Sequence, residues 1–204
     1  MRWIVPVTFQ GIFKSDNVAR DKFLSWLFGI FNEEIVRCWS KDDKASYEDL
    51  GRPTVKLKDS SERGRTLDFT LRSKTDGQVY IAEMKCWLEY RNYRFLPLKE
   101  PKQLAEADNP AFRLFLKGAK EPSQVAVTVG GKPRLIDGSA LIWCACSEQV
   151  RADTKAAYGL RDILSLEYII ADLVAWKNQG FFQLINDRQK WAERLFSWLP
   201  QVNL

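Results

Sequence analysis

The sequence predicts a single α/β domain in which a mixed central β-sheet is flanked by helices on both faces. At 204 residues the chain fits one domain, long enough to cover both faces of a sheet without disulfides or a structural metal. Segments with the apolar spacing of helices alternate along the chain with short strand-like segments. Residues 140–146 form a continuous apolar run, which is typical of a central strand buried on both faces.

The predicted elements of the first half come in a definite order. Ser15 and Asp16 can cap a helix whose apolar spacing begins at Val18. Asp76 and Gly77 are typical of a two-residue hairpin turn. The predicted elements are a helix at 18–39, a strand at 54–57, an exposed charged loop at 58–65, and two strands at 66–72 and 78–87.

The second half is predicted to be mainly helical around the strand at 140–146. Residues 98–116 are mostly helical, but Pro101 and Pro110 can divide them into two pieces. Residues 124–136 are typical of a hairpin that turns at Gly130 and Gly131. From about residue 153 to 200 the chain is expected to be helical, with Ser165 capping a helix at 166–176 and a last amphipathic helix at 181–199.

Composition excludes several classes of protein. Hydrophobic residues make up 46% and charged residues 28% of the chain, and no segment approaches the roughly 20 apolar residues that span a bilayer. Residues 1–6 lack the features of a secretory signal, so we expect a cytoplasmic location. The net charge of +5 favours an anionic partner, although a solvated basic surface would give the same value.

The absence of histidine narrows the chemistry further. It excludes Ser-His and Cys-His nucleophile pairs, His-ligated zinc hydrolases and nucleases with a histidine base. The four cysteines lack Cys-x-x-Cys spacing, so we expect buried free thiols rather than disulfides or a zinc site. Any hydrolysis must therefore use carboxylates, lysine and a metal ion.

The predicted hairpin brings three ionisable residues together. A two-residue turn at 76–77 would place Asp68 directly opposite Lys85 and Thr70 opposite Glu83, with Asp68 and Glu83 about 7–8 Å apart as diagonal neighbours. A three-residue loop with a bulge would shift this pairing by one residue. The other face of the hairpin is apolar and suited to a core: Leu67, Phe69, Leu71, Tyr80, Ala82, Met84 and Cys86.

Such a patch suits phosphodiester hydrolysis. Two carboxylates supply hard oxygen ligands for Mg²⁺, and a neighbouring ammonium can orient water and offset phosphate charge. A cross-strand ion pair on a solvated face is the alternative, but the apolar helices before and after predict that both faces of this sheet are covered.

The segment RTLDFTLRSKTDGQVYIAEMKCW resembles the signature of the PD-(D/E)XK, restriction-endonuclease-like nuclease superfamily, with Leu67 where the motif name has proline. The order of the predicted elements is also similar, and the resemblance covers most of residues 16–147. It implies a restriction-endonuclease-like core in which Asp68 and Glu83 bind Mg²⁺ or Mn²⁺, the backbone carbonyl of Met84 adds a ligand, and Lys85 positions the attacking water. The implied products carry 5′-phosphate and 3′-hydroxyl ends.

The resemblance also implies a further acidic residue on the first helix, for which Glu33 and Glu34 compete. Glu34 falls within the apolar stripe that contains Leu27, Ile30 and Phe31, whereas Glu33 lies off its flank. A carboxylate on an apolar stripe requires a partner or a metal, so Glu34 is the preferred candidate. A solvated carboxylate at the open end of the stripe is the alternative.

Several residues are candidates for nucleic-acid contact. Arg65 precedes the Asp68 strand, and Arg91 and Arg94 alternate with Trp87, Tyr90 and Tyr93, a mixture suited to phosphate contact and base stacking. A solvated loop and an amphipathic segment are the respective alternatives. Gln103 resembles the glutamine of the RecB-like branch, although Ala107 stands where that branch has tyrosine; we expect instead an exposed helical glutamine.

Two functions follow from these observations. The first is a metal-dependent nuclease acting on DNA, with RNA as an alternative substrate. The second is a non-catalytic nucleic-acid-binding or assembly subunit with the same fold. Tryptophans on helical stripes, at positions 26, 176, 191 and 198, are expected in the core or in an interface with a second copy or another subunit.

Overall fold

The computed structural model describes residues 18–86, 88–89, 94–107 and 109–198. The described helices are α1 (Val18–Ser40), α2 (Pro110–Lys120), α3 (Glu148–Tyr158), α4 (Leu166–Ala175) and α5 (Gln179–Trp198), with 3₁₀ helices at Pro101–Ala107 and Pro122–Gln124. The described strands are β1 (Tyr47–Asp49), β2 (Pro53–Leu57), β3 (Arg65–Thr66), β4 (Phe69–Ser73), β5 (Val79–Lys85), β6 (Leu88–Glu89), β7 (Arg94–Phe95), β8 (Pro97–Leu98), β9 (Val125–Val129), β10 (Lys132–Arg134), β11 (Gly138–Trp143), β12 (Ala145–Cys146) and β13 (Asp162–Ser165).

The central sheet is mixed and has five strands in the order β1-β4-β5-β11-β13. β1, β4 and β5 run antiparallel, whereas β5, β11 and β13 run parallel. The sheet is curled, since Tyr47 on one edge strand donates a hydrogen bond from Oη to Oδ2 of Asp162 on the other, over 2.8 Å. The prediction of a mixed central sheet with helices is confirmed.

Helices cover this sheet on both faces. On one face, α1 and α4 pack on alternate residues of the strands, around Phe69, Leu71, Ala82 and Ile142. On the other face, Phe112 and Phe115 of α2 pack over Ile81, Leu141 and Trp143. Every residue of β11 is buried, so the predicted inner strand at 140–146 is confirmed for its first part.

A second, four-stranded antiparallel sheet lies beside the central one in the order β10-β9-β2-β3. The predicted strand at 54–57 and the hairpin turning at Gly130 and Gly131 are confirmed, with Lys132 opposite Val129. The chain passes from this sheet to the central one within two residues. Leu67 donates its N–H to the carbonyl oxygen of Pro53 in β2 over 3.0 Å, and β4 of the central sheet begins at Phe69. Asp68 is the residue between them.

The predicted register of the Asp68 hairpin was wrong by two residues. Thr70 lies opposite Ile81, and Ser73 donates its N–H to Gln78 O over 2.9 Å, so the loop has the four residues 74–77. Gly77 takes the left-handed conformation that this loop needs, with φ +76°. A shift of two residues leaves the paired side chains of β4 and β5 on their predicted faces.

One residue of the predicted apolar face was also misplaced. Leu67 is fully buried, but it packs with Val55 and Ile81 on the α2 side of the sheet rather than with Phe69 and Leu71. The continuous strand predicted at 66–72 breaks at Asp68, and this break turns Leu67 to the opposite face.

The prediction of an all-helical segment after residue 153 was wrong in one place. Residues 162–165 form β13, which pairs in parallel with β11 and closes the edge of the central sheet. Ser165 begins α4 as predicted, but its hydroxyl donates to Cys144 O over 3.2 Å and does not cap the helix. The four cysteines are free thiols, but the expectation that they are buried holds only for Cys144.

The outer faces of α1 and α5 leave apolar side chains exposed, including Trp191 (56% exposed) and Trp198 (59%). Between the two helices lies an apolar groove of about 520 Å³. These two tryptophans are therefore outside the core, whereas Trp176 packs against it; the side chain of Trp26 lies outside the description. In the described part of the chain, no helix combines the length and the apolar character that a membrane crossing requires.

Candidate active site

The carboxyl end of β5 brings Glu83, Met84 and Lys85 next to Asp68. Asp68 occupies the short passage between β3 and β4, and its Oδ2 accepts a hydrogen bond from the backbone N–H of Met84 over 2.9 Å. In a strand the N–H and C=O of one residue point to the same side, so the carbonyl of Met84 also faces Asp68. The structure thus brings the three predicted ionisable residues together, with Asp68 rather than Thr70 beside Glu83.

Glu83 and Lys85 form a buried ion pair beneath α2. Lys85 Nζ donates to Glu83 Oε1 over 2.5 Å, and the ammonium lies 5.3 Å from the centroid of the Phe112 ring. Both side chains are largely buried, at 9% exposure for Glu83 and 13% for Lys85. The α2 helix therefore excludes water from one side of the pair, as expected for charges that point under a helix.

The pKa of Glu83 is strongly perturbed. Burial, followed by the charge of the Asp68 carboxylate, raises the pKa of Glu83 to about 7, although Lys85 acts in the opposite direction. Glu83 Oε2 is buried and has no hydrogen-bond partner within the described residues. A buried carboxylate oxygen without a partner is costly, and a cation would remove that cost.

A cavity of about 390 Å³ opens in front of these residues. It is lined by Asp68, Met84, Lys85, Cys86, Gly29, Glu33, Ala107 and Asn109. Arg52 reaches Asp68 Oδ1 from the exposed side at 3.4 Å. The cavity therefore presents the carboxylates of Asp68 and Glu33 and the ammonium of Lys85 to an incoming ligand, while Glu83 lies behind them.

The donor set fits a hard divalent cation with few protein ligands. Two carboxylates and a backbone carbonyl offer oxygen ligands only, and Mg²⁺ is usually held by one or two carboxylates while it keeps several waters. Among the described residues, no group of three or more histidine, cysteine or acidic side chains is arranged to hold a metal. Asp68, Glu83 and Met84 are therefore the residues that would hold the ion.

Glu33 and Glu34, the two candidates on α1 for a further acidic residue of the site, lie in different places. Glu33 lines the cavity and accepts a hydrogen bond from Arg37 over 2.8 Å. Glu34, the preferred candidate, points to the groove between α1 and α5, where its Oε2 accepts from Arg188 Nε over 3.0 Å. The structure thus gives Glu34 the partner that its position on the apolar stripe demands, but that partner is an arginine and the position is outside the cavity.

The candidates for nucleic-acid contact lie around the site or outside the described residues. Gln103 is buried, and its Oε1 accepts from the backbone N–H of Lys99 and of Glu100, so the expectation of an exposed helical glutamine was wrong. Arg65 is exposed on β3, two residues before Leu67. Arg91 lies outside the described residues, as does the side chain of Arg94.

Sequence reasoning missed two residues of the site. Asn109 lines the cavity and caps α2, since its Oδ1 accepts from Phe112 N over 2.9 Å. The Asn109-Pro110 pair is a helix-start signal that could have identified it. Arg52 lies in a polar, turn-rich stretch, and nothing in its local pattern indicates its contact with Asp68.

Comparisons with known proteins add no relative. No family model matches the chain, no curated protein matches it, and no solved structure matches its fold.

Proposed function

We propose that this protein is a metal-dependent nuclease that hydrolyses phosphodiester bonds, with DNA as its substrate, and that it belongs to the PD-(D/E)XK superfamily. The observation that carries the proposal is the buried Glu83 Oε2, which lacks a partner in the described structure and belongs to a residue beside Asp68 and Lys85, the two that line a cavity. Hard oxygen ligands, a buried ammonium and an open cavity are what metal-assisted phosphodiester hydrolysis requires.

Each residue has a role in this proposal. Asp68, Glu83 and the Met84 carbonyl would hold Mg²⁺, which would polarise the phosphate and lower the pKa of water. Lys85 orients the attacking water through its ammonium, which the ion pair with Glu83 and the ring of Phe112 hold in place. Arg52, at the exposed side of Asp68, faces the solvent from which the substrate arrives and offsets phosphate charge.

The first experiment is calorimetric titration of Mn²⁺ into the wild type, Asp68→Ala and the control Asp153→Ala, whose aspartate is exposed on α3. Metal binding is chosen because it requires no knowledge of the substrate. We expect binding in the wild type and in the control, and its loss in Asp68→Ala, because one of the two carboxylate ligands is then missing.

Cleavage is then measured with plasmid DNA and end-labelled oligonucleotides in Mg²⁺. Asp68→Ala and Glu83→Ala should each abolish the 5′-phosphate products while circular dichroism shows an unchanged fold. Cleavage retained in either variant would overturn the assignment. If the wild type binds neither Mn²⁺ nor Mg²⁺, Arg52 and Lys85 alone neutralise the carboxylates of Asp68 and Glu83. A non-catalytic nucleic-acid-binding subunit then becomes the better account.

A further inference from the structure

A second cavity lies next to the proposed active site, at the same end of α2. Asn109 lines the first cavity, and Pro110, the first residue of α2, lines the second. The second cavity has a volume of about 380 Å³ and is bordered by β2, β3, the loop between them and α2. Its one acidic lining residue is Glu62, and its basic ones are Lys56, Arg63, Arg65, Arg113 and Lys117. We call this cavity the basic cleft.

Acidic side chains neutralise little of this charge. Lys117 pairs with Glu121 at 2.8 Å. Lys56, Arg63 and Arg65 are exposed, and none of them forms an ion pair with any residue in the described ranges. Other arginines of the surface do have such partners, as Arg151 has Asp162 and Arg37 has Glu33. The basic cleft therefore presents a local excess of positive charge to an anionic ligand.

Two of the three arginines of the cleft, Arg63 and Arg65, lie on a backbone that is ordered in the folded protein. Gly64 lies between them and packs closely on β2: a Cβ there would be 2.6 Å from Thr54 Cγ2 and 3.3 Å from Val55 O. Arg65 is paired with Val55 in the β2–β3 register. Because the backbone is already ordered, a ligand that meets these guanidinium groups has less conformational entropy to remove.

The cleft is also close to the proposed catalytic residues along the chain. Arg65 precedes Asp68 by three residues, so their Cα atoms are at most about 10 Å apart. Along the axis of B-form DNA, successive phosphates of one strand are ~3.4 Å apart, so phosphates within about three nucleotides of the scissile one lie within this limit. A strand with its scissile phosphate at Asp68 would therefore have neighbouring phosphates within reach of Arg63 and Arg65.

We infer that the basic cleft binds the phosphodiester backbone of a nucleic-acid strand, next to the phosphate that is cleaved; this inference rests on the proposed function. Guanidinium groups suit phosphate because they donate two parallel hydrogen bonds to its oxygens. The cleft offers charge and backbone contact, so it positions the strand without reference to base sequence. It accounts for Lys56, Arg63 and Arg65 together, although they come from a strand, a loop and another strand.

The test is fluorescence anisotropy with a labelled single-stranded DNA and an RNA of the same sequence, in EDTA so that no cleavage occurs. The cleft variant is Lys56→Gln/Arg63→Gln/Arg65→Gln. The control is Lys132→Gln/Arg134→Gln/Lys190→Gln, which removes the same charge from exposed positions elsewhere. Each protein is titrated between 50 and 200 mM salt, and circular dichroism checks that each is folded.

We expect the cleft variant to reduce the slope of log K against log salt by about 2, since each of three lost phosphate contacts on a single strand reduces it by roughly 0.7. The wild type should then lose about 20-fold more affinity than the variant between the two salt concentrations. The control should bind like the wild type. A stronger effect on DNA than on RNA, or the reverse, identifies which of the two the cleft takes.

Three results would overturn the inference: no binding by the wild type, equal binding by wild type and cleft variant, or equal losses in the cleft and control variants. The inference would also fail if polyglutamate of equal charge displaced the labelled strand as effectively as unlabelled DNA does, because the cleft would then select charge alone. The test is separate from the catalytic proposal. A cleft variant that loses binding in a protein that never cleaves would keep the nucleic-acid site and reject the nuclease.

Discussion

Two neighbouring charges act on the pKa of Glu83 in opposite directions. Lys85, which donates to Glu83 Oε1 over 2.5 Å, lowers this pKa, whereas the Asp68 carboxylate raises it. In metal-free protein, a ¹³C NMR titration should place the midpoint of Glu83 near 7. Asp68→Asn should lower this pKa because it removes a neighbouring negative charge, and Lys85→Met should raise it because it removes the positive one. Asp153→Asn is the control that should not move it.

The same pKa sets a pH dependence of stability. The pKa of Glu83 is raised from its ordinary value of 4.5 to about 7 in the fold, so between these values the folded state binds more protons than the unfolded state. The contribution of Glu83 to stability is therefore full below pH 4.5 and is lost as the pH rises through 7. Metal binding follows the opposite trend and should strengthen over that range, since protons and Mn²⁺ compete for the carboxylate.

Lys85→Met should separate binding of metal from catalysis. Cleavage should fall by at least about 10²-fold, because the group that orients the water is gone. Mn²⁺ binding should be kept or strengthened at a pH above the raised pKa of Glu83 in this variant, because the competing ammonium beside Glu83 Oε1 is absent. Lys102→Met, at an exposed lysine, is the matched control. Loss of Mn²⁺ affinity along with cleavage would reduce Lys85 to a residue that only positions Glu83.

Glu33 and Glu34 are adjacent in sequence but should behave differently. Glu33→Gln should weaken Mn²⁺ binding and cleavage several-fold, because Glu33 adds negative charge to the cavity. Glu34→Gln should leave both unchanged and reduce the free energy of unfolding by at most about 1 kcal/mol, through its ion pair with Arg188. The reverse pattern would return the catalytic role to Glu34 and contradict the cavity described above.

Tyr47→Phe tests the curl of the central sheet. The variant removes the hydrogen bond to Asp162 between the two edge strands and should cost about 1–2 kcal/mol in urea unfolding at pH 7. Burial raises the pKa of Asp162. Hydrogen bonds from Tyr47 and Arg151 lower the same pKa by more, so the net shift is downward. The stability that Asp162 contributes is present above its ordinary pKa of 3.8 and is lost as the pH falls through the folded value, so the cost should shrink in acid. Tyr168→Phe, at an exposed position, should cost little.

Much of the central architecture follows from sequence pattern. The alternation along 69–84 assigns Glu83 and Lys85 to one face and Phe69, Leu71 and Ala82 to the other, and this assignment survives a change of register by two. The apolar run at 140–146 similarly identifies the inner strand. Periodicity predicts these features because it depends on burial alone.

The register itself depends on contacts that a pattern does not contain. Ser73 Oγ accepts from the backbone N–H of Thr75 over 3.3 Å, and Asp76 Oδ1 accepts from Gln78 N over 3.1 Å. These side chains order a four-residue loop in place of the two-residue turn that Asp-Gly usually indicates. Likewise, helical phase places Glu34 on an apolar stripe, but its partner Arg188 lies 154 residues away in sequence. Such distant pairing becomes visible only in the folded chain.

The passage of the chain between the two sheets at Asp68 has a consequence for inactivation. β3, which precedes it, is a two-residue strand at the edge of the four-stranded sheet, and short edge elements open before the core when a protein is heated or placed in denaturant. Opening of β3 would release Asp68 on one side while β4, β5 and β11 stay paired. Heating or denaturant should therefore abolish the proposed cleavage before circular dichroism shows loss of secondary structure. The transitions in cleavage and in circular dichroism should move further apart when β3 is weakened.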